Sequence, residues 1–221
     1  MPADRPTILL ATRSSGKLRE LSEILRDFDL NVIDLGAAGI AVSAAEDDIE
    51  SFPTFEENAL AKARYFFAQS GGTPTLADDS GVVVDALGGA PGVFSKRFSG
   101  RSDLGGTELD AANNAKLMSE LARIDAETFA RGEGSAVRTA RYVCVAAFVS
   151  SQGEMTREGK IEGRIVEYPR GAGGFGYDPY FESPDLGGTF AEADWSLKSR
   201  VSHRGRAFRA LLPALRERGW A

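Results

Sequence analysis

Two adjacent carboxylates, Asp78 and Asp79, stand in the otherwise apolar stretch TLADDSGVVVDAL, and a further acidic set, Glu46, Asp47, Asp48 and Glu50, lies upstream. In a strand successive side chains take opposite faces, so one aspartate of the pair must enter the core. A buried carboxylate without a partner is costly or takes up a proton. Two solutions are open: the strand ends here and DSG is an exposed Asx-type turn, or a cation sits at the site. Mg²⁺ suits the second, because it takes oxygen ligands, keeps several waters and joins one or two carboxylates to substrate phosphates.

Three more stretches could carry chemistry. ATRSSGK places Thr12, Arg13, Ser14, Ser15, Gly16 and Lys17 between a strand and a helix. Such a turn offers unpaired backbone N–H groups, the positive end of the helix dipole, hydroxyl donors and a lysine, which together suit a phosphate. Taken alone, the turn reads more simply as an N-cap serine followed by a surface lysine. GGFGYDPYF holds Phe175, Gly176, Tyr177 and Asp178. Its glycines allow close backbone approach and its aromatic faces could stack on a base, or form a core cluster beside a tight turn. LKSRVSHRGRAF gathers Lys198, Arg200, His203, Arg204 and Arg206. This set can hold phosphates or donate to a base carbonyl, or be a solvated basic face.

The elements around these stretches follow from periodicity. TILLAT reads as a buried strand, and GKLRELSEILRDF as a helix with Leu18, Leu21, Ile24, Leu25 and Phe28 on one stripe. TFEE is a capping box that starts a second helix, with Thr54 as N-cap and Glu57 three residues on. A third helix is expected over GTELDAANNAKLMSELARI, and a mobile loop over RGEGSAV. RTARYVCVAAFVS and EMTREGKIEGRIVEY read as two long strands joined by the hairpin signal SQG. PRGAGGFGYDPYF reads as a loop ending in a short strand. SHRGRAFRALLPALRER reads as a closing helix capped by Ser202, with a kink or break at Pro213. Strands and helices mix without strict alternation, which predicts an α/β fold with a mixed sheet.

The chain of 221 residues can bury a sizeable core as one large domain or two small lobes. Its 43% hydrophobic and 26% charged content is that of a globular protein. No apolar stretch reaches the roughly 18 residues a membrane helix needs, and none resembles a secretory signal. A net charge of −6 argues against broad nucleic-acid binding and requires a local basic pocket for any anionic substrate. The single cysteine, Cys144, excludes an intramolecular disulfide, fits the cytoplasm, and reads as an inert core thiol.

Taken in order, LLATRSSGKLREL, TFEENALAKAR, LADDSGVVVDALGGAPGVFSKRFSG, GGFGYDPYF and SHRGRAF resemble the inosine triphosphate pyrophosphatase family over nearly the whole chain. The resemblance implies a single domain over residues 1–221, an elongated two-lobed α/β fold with the active site in the cleft, and a homodimer. It implies Mg²⁺-dependent conversion of ITP, dITP and XTP to the monophosphate and pyrophosphate. Carried over by position, Thr12 to Lys17 form the phosphate turn and Lys62 adds charge to it. Asp79 is the proton acceptor and a metal contact, with Asp78 beside it and Glu50 as a further metal ligand. Ser80, Phe175 to Asp178, Lys198, His203 and Arg204 contact substrate.

Ser14 replaces the usual asparagine of the family's phosphate turn, and ESFPTF replaces the usual E-T-G-x-T-F. In this reading Lys17, Lys62 and Lys198 bind the triphosphate and Asp79 deprotonates the attacking water. Arg204, which only donates, reads the 6-oxo group of the base. A Maf-like pyrophosphatase for modified pyrimidine nucleotides and a nucleotide sensor without turnover are the rival readings. A dinucleotide dehydrogenase is disfavoured, because TRSSGK lacks the G-x-G-x-x-G fingerprint.

Overall fold

The computed structural model describes residues 6–26, 28, 30–134 and 137–220. Strands β1 (Thr7–Leu10), β2 (Asn31–Asp34), β3 (Thr75–Val84), β4 (Thr139–Ser150), β5 (Gly153–Ile165), β6 (Phe181–Ser183) and β7 (Gly188–Thr189) form one sheet in the order β2-β1-β3-β4-β5-β6-β7. β1 pairs in parallel with both β2 and β3, whereas β6 is antiparallel to β5 and β7. The sheet is therefore mixed. Its helices are α1 (Ser15–Leu25), α2 (Phe55–Gln69), α3 (Gly106–Ala130), α4 (Trp195–Val201) and α5 (His203–Glu217).

The chain divides into two compact units. One comprises the chain up to Asp79, Cys144–Gly159, and everything from Ser202 onward; the other comprises Ser80–Val143 and Lys160–Val201. In the first unit, strand alternation sorts the core into two layers. Ile8, Leu10, Leu76, Cys144, Ala146 and Phe148 pack against α1 and α5 through Leu21, Ile24, Phe208 and Leu211. Their sequence neighbours Leu9, Ala11, Ala77, Val145, Ala147 and Val149 pack against α2 through Ala59, Ala63 and Phe66. Strands that are apolar on both faces are what a sheet covered by helices on both sides requires. The second unit has its own core, in which Val82, Val84, Tyr142 and Ile161 meet Leu117 and Leu121 of α3, together with Tyr177, Phe181 and Phe190.

Several expectations change. The strand does not end at the aspartate pair: β3 runs unbroken from Thr75 to Val84 through Asp78, Asp79, Ser80 and Gly81. The exposed-turn solution fails because both carboxylates meet cations or donors, described below. α3 continues past its expected end at Ile124 to Ala130 and stops just before RGEGSAV, of which Ser135 and Ala136 lie outside the described residues. The first helix was expected to reach Phe28; α1 ends at Leu25, and Asp27 lies outside the described residues. α5 continues through Pro213, which is exposed. A short 3₁₀ helix over Ala44–Asp48, absent from the sequence reading, has its own capping box between Ser43 and Glu46. Thr54 caps α2 as expected, accepting from the Glu57 N–H.

Gly159 of β5 fixes how closely α5 approaches. A β-carbon there would lie 2.3 Å from the His203 carbonyl oxygen and 2.4 Å from the Ala207 nitrogen. Both are backbone atoms of the first turns of α5, so no rotamer change relieves the clash. Gly159→Ala should cost about 1–3 kcal/mol, the range for forced overpacking, and lower Tm by about 2–4 °C per kcal/mol. Thermal unfolding measures this. An unchanged Tm would show that α5 retreats freely.

Candidate functional site

β3 alternation explains the aspartate pair. Asp78 follows Leu76 onto the α1 and α5 side, and Asp79 follows Ala77 onto the α2 side. Each helix then supplies a partner.

On the first side, Asp78 Oδ2 lies 3.0 Å from Lys17 Nζ and accepts from Arg204 Nε at 3.1 Å. Arg204 Nη1 also donates to Glu20 Oε2, and Ser202 donates to Glu20 Oε1 at 2.6 Å. Glu20, Asp78 and Arg204 are all buried. Burial would raise the Asp78 pKa, but Lys17, Arg204 and Lys62 outweigh it and hold the carboxyl well below the usual range. Asp78 Oδ1 is buried without a hydrogen-bond partner. The Cys144 thiol, 3.8 Å from Asp78 Oδ2, is pushed well up by burial and by that carboxylate. It stays protonated, as expected of a core thiol.

On the second side, Asp79 Oδ2 accepts from Asn58 Nδ2 at 3.1 Å. Burial pushes the Asp79 pKa up, more than Lys62 and Lys17 pull it down, and Glu50 adds to the rise. Lys62 is ion-paired with Glu50. Burial works against its charge, but Glu50, Asp78 and Asp79 hold its proton firmly. Asp47 and Asp48 are exposed, whereas Glu50 is part-buried against Lys62. Glu50 is thus the acidic residue of its segment that reaches the aspartate pair.

Among the described residues no group of three or more His, Cys, Asp or Glu side chains is arranged to hold a metal by itself. A Mg²⁺ that takes one or two carboxylates and completes its shell with phosphate and water needs less. Asp79 and Glu50, facing the same ammonium, fit that requirement, and Asp78 Oδ1 is a further buried acceptor without a hydrogen-bond partner. Counted over the cluster, Glu20, Glu50, Asp78 and Asp79 exceed Lys17, Lys62 and Arg204 by one negative charge.

The phosphate turn is only partly as expected. Ser14 is the N-cap of α1, accepting from the Lys17 N–H at 3.3 Å, and Thr12 Oγ1 accepts from the Ser14 N–H at 3.2 Å. Ser15 and Gly16 form the first helical positions, whose N–H groups have no partner within a helix. Arg13 is committed elsewhere. Its guanidinium donates to Glu46 at 2.8 and 3.1 Å and to the Ile40 and Ala41 carbonyls at 3.0 Å.

The remaining candidates fall in the second unit or at its boundary. Ser80 is its first residue and is part-buried. Asp178 accepts from Lys198 Nζ at 2.5 Å, from the Phe175 N–H at 2.8 Å and from Tyr142 at 3.2 Å. Lys198 is buried, with the rings of Phe175, Trp195 and Phe190 at 5.2, 5.3 and 5.5 Å from its Nζ. Expected to bind the triphosphate with Lys17 and Lys62, it is ion-paired with Asp178 and faces three rings. Tyr177 is a core residue rather than a stacking face: its hydroxyl donates to the Ser95 carbonyl at 2.8 Å. Gly176 is held through both backbone groups, by Asp110 at 2.8 Å and Asn114 at 2.9 Å. Phe175 is part-buried.

His203 and Arg204 open α5 in the first unit, both buried. Arg204, expected against the 6-oxo group of a base, donates from Nε to Asp78 and from Nη1 to Glu20. Two residues escaped the sequence reading. Glu20 lies on the stripe with Leu21 and Ile24, and a charge on an apolar stripe was the available signal. Asn58 is fully buried, accepts from the Phe52 N–H at 2.9 Å and donates to the Phe52 carbonyl at 3.2 Å as well as to Asp79. It ties the segment that follows Glu50 to the catalytic candidate.

A family model described as the Ham1 family matches residues 8–214. A protein named dITP/XTP pyrophosphatase from Halorhodospira halophila is 43% identical over 94% of this chain and 96% of its own. One of the same name from Thermus thermophilus is 41% identical, covering 95% and 92%. Among solved structures, a HAM1 protein from Coxiella burnetii aligns with a TM-score of 0.78 at 36% identity, over 96% of this chain and 98% of that one. A nucleoside-triphosphatase described as a dITP/XTP pyrophosphatase from Mycobacterium abscessus aligns with a TM-score of 0.66 at 39% identity, over 94% and 99%. With its aspartate pair, capped α2 and basic α5 start falling inside the matched span, the chain belongs to the Ham1 family.

Proposed function

We propose that the protein is a Mg²⁺-dependent pyrophosphatase that hydrolyses ITP, dITP and XTP to the nucleoside monophosphate and pyrophosphate, acting as a cytoplasmic homodimer. The observation that carries this reading is the cluster of Lys17, Lys62, Glu50, Asp78 and Asp79 around the start of α1. Cations for a polyphosphate, carboxylates for a divalent ion and a base of raised pKa stand together there. The relatives named dITP/XTP pyrophosphatase support the substrate class.

Asp79 is the general base: it orients the attacking water and takes its proton as the phosphoanhydride bond breaks and pyrophosphate leaves. A raised pKa makes a carboxylate a stronger base, and a positioned base typically contributes about 100- to 10,000-fold. Asn58 holds the Asp79 carboxylate in place. Lys17 and Lys62 bind the triphosphate, and the open N–H groups of Ser15 and Gly16 bind its oxygens at the dipole end of α1. Glu50 and Asp79 would hold Mg²⁺, which would supply charge neutralisation at the phosphate oxygens. Phe175 stacks on the base, a contact that tolerates any base and leaves selectivity to polar groups.

A panel of ITP, XTP, dUTP and modified UTP, read by pyrophosphate release, tests the assignment; hydrolysis confined to the pyrimidines would overturn it. Asp79→Asn should lower kcat about 100- to 10,000-fold. Its Tm should stay level or rise, because burial already disfavours the ionised carboxyl. Near wild-type turnover would remove Asp79 from the chemistry.

Glu50→Gln should raise the Mg²⁺ concentration needed for half-maximal rate, while the exposed Asp47→Asn and Asp48→Asn change it little. A Mg²⁺ titration ranks the three, and the opposite ranking would refute Glu50 as the ligand.

Arg204→Ala leaves Glu20 buried without its cation and Asp78 with Lys17 alone, a loss of about 3–5 kcal/mol in stability. ITP and ATP hydrolysis should then fall by the same factor, since the damage reaches the triphosphate end through Asp78 and Lys17. A loss confined to ITP would restore the base-reading role for this arginine.

A further inference from the structure

Arg13 belongs to the phosphate turn by sequence, but its side chain serves a different segment. The guanidinium meets Glu46, 33 positions away, with two hydrogen bonds, Nε to Oε2 at 3.1 Å and Nη2 to Oε1 at 2.8 Å. Nη1 and Nη2 also donate to the Ile40 and Ala41 carbonyls, both at 3.0 Å. Its central carbon lies 5.7 Å from the ring centre of Phe66, which stands one turn beyond Lys62 on α2. The segment gripped in this way has little else to hold it. Ile40 and Ile49 pack against the core layer under α2, but the 3₁₀ helix between them buries no residue. Among the described residues, the hydrogen bonds that join 41–48 to any other element all come from Arg13. Glu50 follows that segment directly.

We infer that Arg13 is a positioning residue for Glu50: its fork on Glu46, Ile40 and Ala41 fixes the segment that presents this carboxylate relative to the phosphate turn. In this scheme Arg13 touches neither metal nor substrate. Three arguments converge. First, the contact is two-pronged on the carboxylate and adds two carbonyls, a pattern that fixes orientation as well as distance. Second, Glu46 passes the constraint on. Its Oε1 also accepts from the Ser43 N–H at 3.2 Å, which closes the capping box of the short helix leading to Glu50. Third, Arg13 leans on α2, the helix whose Lys62 pairs with Glu50, so both ends of that ion pair are held by one framework within the first unit. A carboxylate held in place beforehand gives up less motional freedom when it takes a cation, and so binds it more tightly. The inference rests on the proposed pyrophosphatase with Glu50 as its Mg²⁺ ligand, and adds what holds that ligand.

Removing a group that orients a metal ligand typically lowers metal affinity about 10- to 100-fold. Arg13→Ala should raise the Mg²⁺ concentration for half-maximal ITP hydrolysis by about 10-fold, the low end of that range, because Arg13 acts through Glu46. At saturating Mg²⁺ the KM for ITP should stay within a few-fold of wild type. Arg13→Lys should behave like Arg13→Ala, since one ammonium on a flexible stem cannot span a carboxylate and both carbonyls. Hydrogen exchange on the enzyme without metal or nucleotide reads the brace apart from activity. The Ser43, Ala45, Glu46 and Ile49 N–H groups are all bonded within the segment. In both variants these amides should exchange about tenfold faster or more, as expected of a local opening made easier, while those of β3 keep wild-type rates.

Exchange at wild-type rates in Arg13→Ala overturns the inference whatever the Mg²⁺ requirement. So does faster exchange with an unchanged Mg²⁺ requirement, since the brace then serves the loop alone and not Glu50. A KM for ITP that rises at saturating Mg²⁺ in Arg13→Ala and is restored in Arg13→Lys overturns it as well, because that pattern belongs to a phosphate contact. Failure of the underlying reading looks different. A wild type that hydrolyses none of ITP, dITP and XTP, or a Glu50→Gln that leaves the Mg²⁺ requirement unchanged, refutes the proposed site itself.

Discussion

Everything in the first unit turns on a constraint set by strand geometry: adjacent residues of β3 cannot share a face. Placing Asp78 and Asp79 in sequence within a buried strand commits the fold to supplying compensating groups on both sides of the sheet. α1 and α5 supply Lys17 and Arg204 to one side, and α2 supplies Asn58 and Lys62 to the other. The two sides are not equivalent. Asp78 is matched by direct contacts with Lys17 and Arg204 and is held ionised, whereas Asp79 accepts from the neutral amide of Asn58 and has its pKa raised. One carboxylate is thereby held as a fixed charge, while its neighbour is given a raised proton affinity. A buried carboxylate paired this well is costly to disturb but does not by itself add much net stability. Its value lies in fixing where Lys17 and the start of α1 stand.

That arrangement reaches further than its direct contacts. Arg204 can meet Asp78 only if the first turn of α5 lies close to the sheet, and Gly159 removes the side chain that would keep it away. Ser202 serves twice at the same place. Its oxygen accepts from the Gly205 N–H as the helix cap, and its hydroxyl donates to Glu20. One hydroxyl therefore starts the helix and satisfies the second carboxylate that Arg204 needs. Glu20 completes the set, because an arginine with a single buried carboxylate would leave donors without partners.

How much of this could be read from the sequence depended on the range of the interaction that decides it. Helices with an apolar stripe and a local cap, α1, α2 and α5, declare themselves within a few residues, as Thr54 and Glu57 show. The unbroken course of β3 does not, since its compensating cations come from positions as remote as Arg204. Locally, DDSG has the composition of a turn. The same holds for Arg13, whose neighbours suggest a phosphate contact while its partner Glu46 stands 33 positions away. The pairing of Glu20 with Arg204 spans 184 positions and left only a faint trace, a glutamate on an apolar stripe. Resemblance brought the right segments into view, and charge pairing in three dimensions then decided what each side chain does.

The second unit uses its buried charge differently. Lys198 faces one carboxylate and three rings, so its field is largely cancelled at short range and the surrounding surface is aromatic rather than ionic. The close approach that makes this possible depends on Gly174. Its φ of +77° is a conformation that glycine adopts freely, and a β-carbon there would fall 2.0 Å from the Asp178 carboxylate. The carboxylate is instead wrapped by its own loop, through the Phe175 N–H, and by Tyr142. A surface of this kind attracts flat, weakly charged rings and gives a polyphosphate nothing to bind. In the first unit Lys17 and Lys62 are paired with Asp78 and Glu50, with Asp79 beside them, so the groups gathered there are ionic rather than aromatic. The two units thus differ in the chemistry they favour, and that difference arises from what surrounds each lysine: carboxylates in the first unit, one carboxylate and three rings in the second.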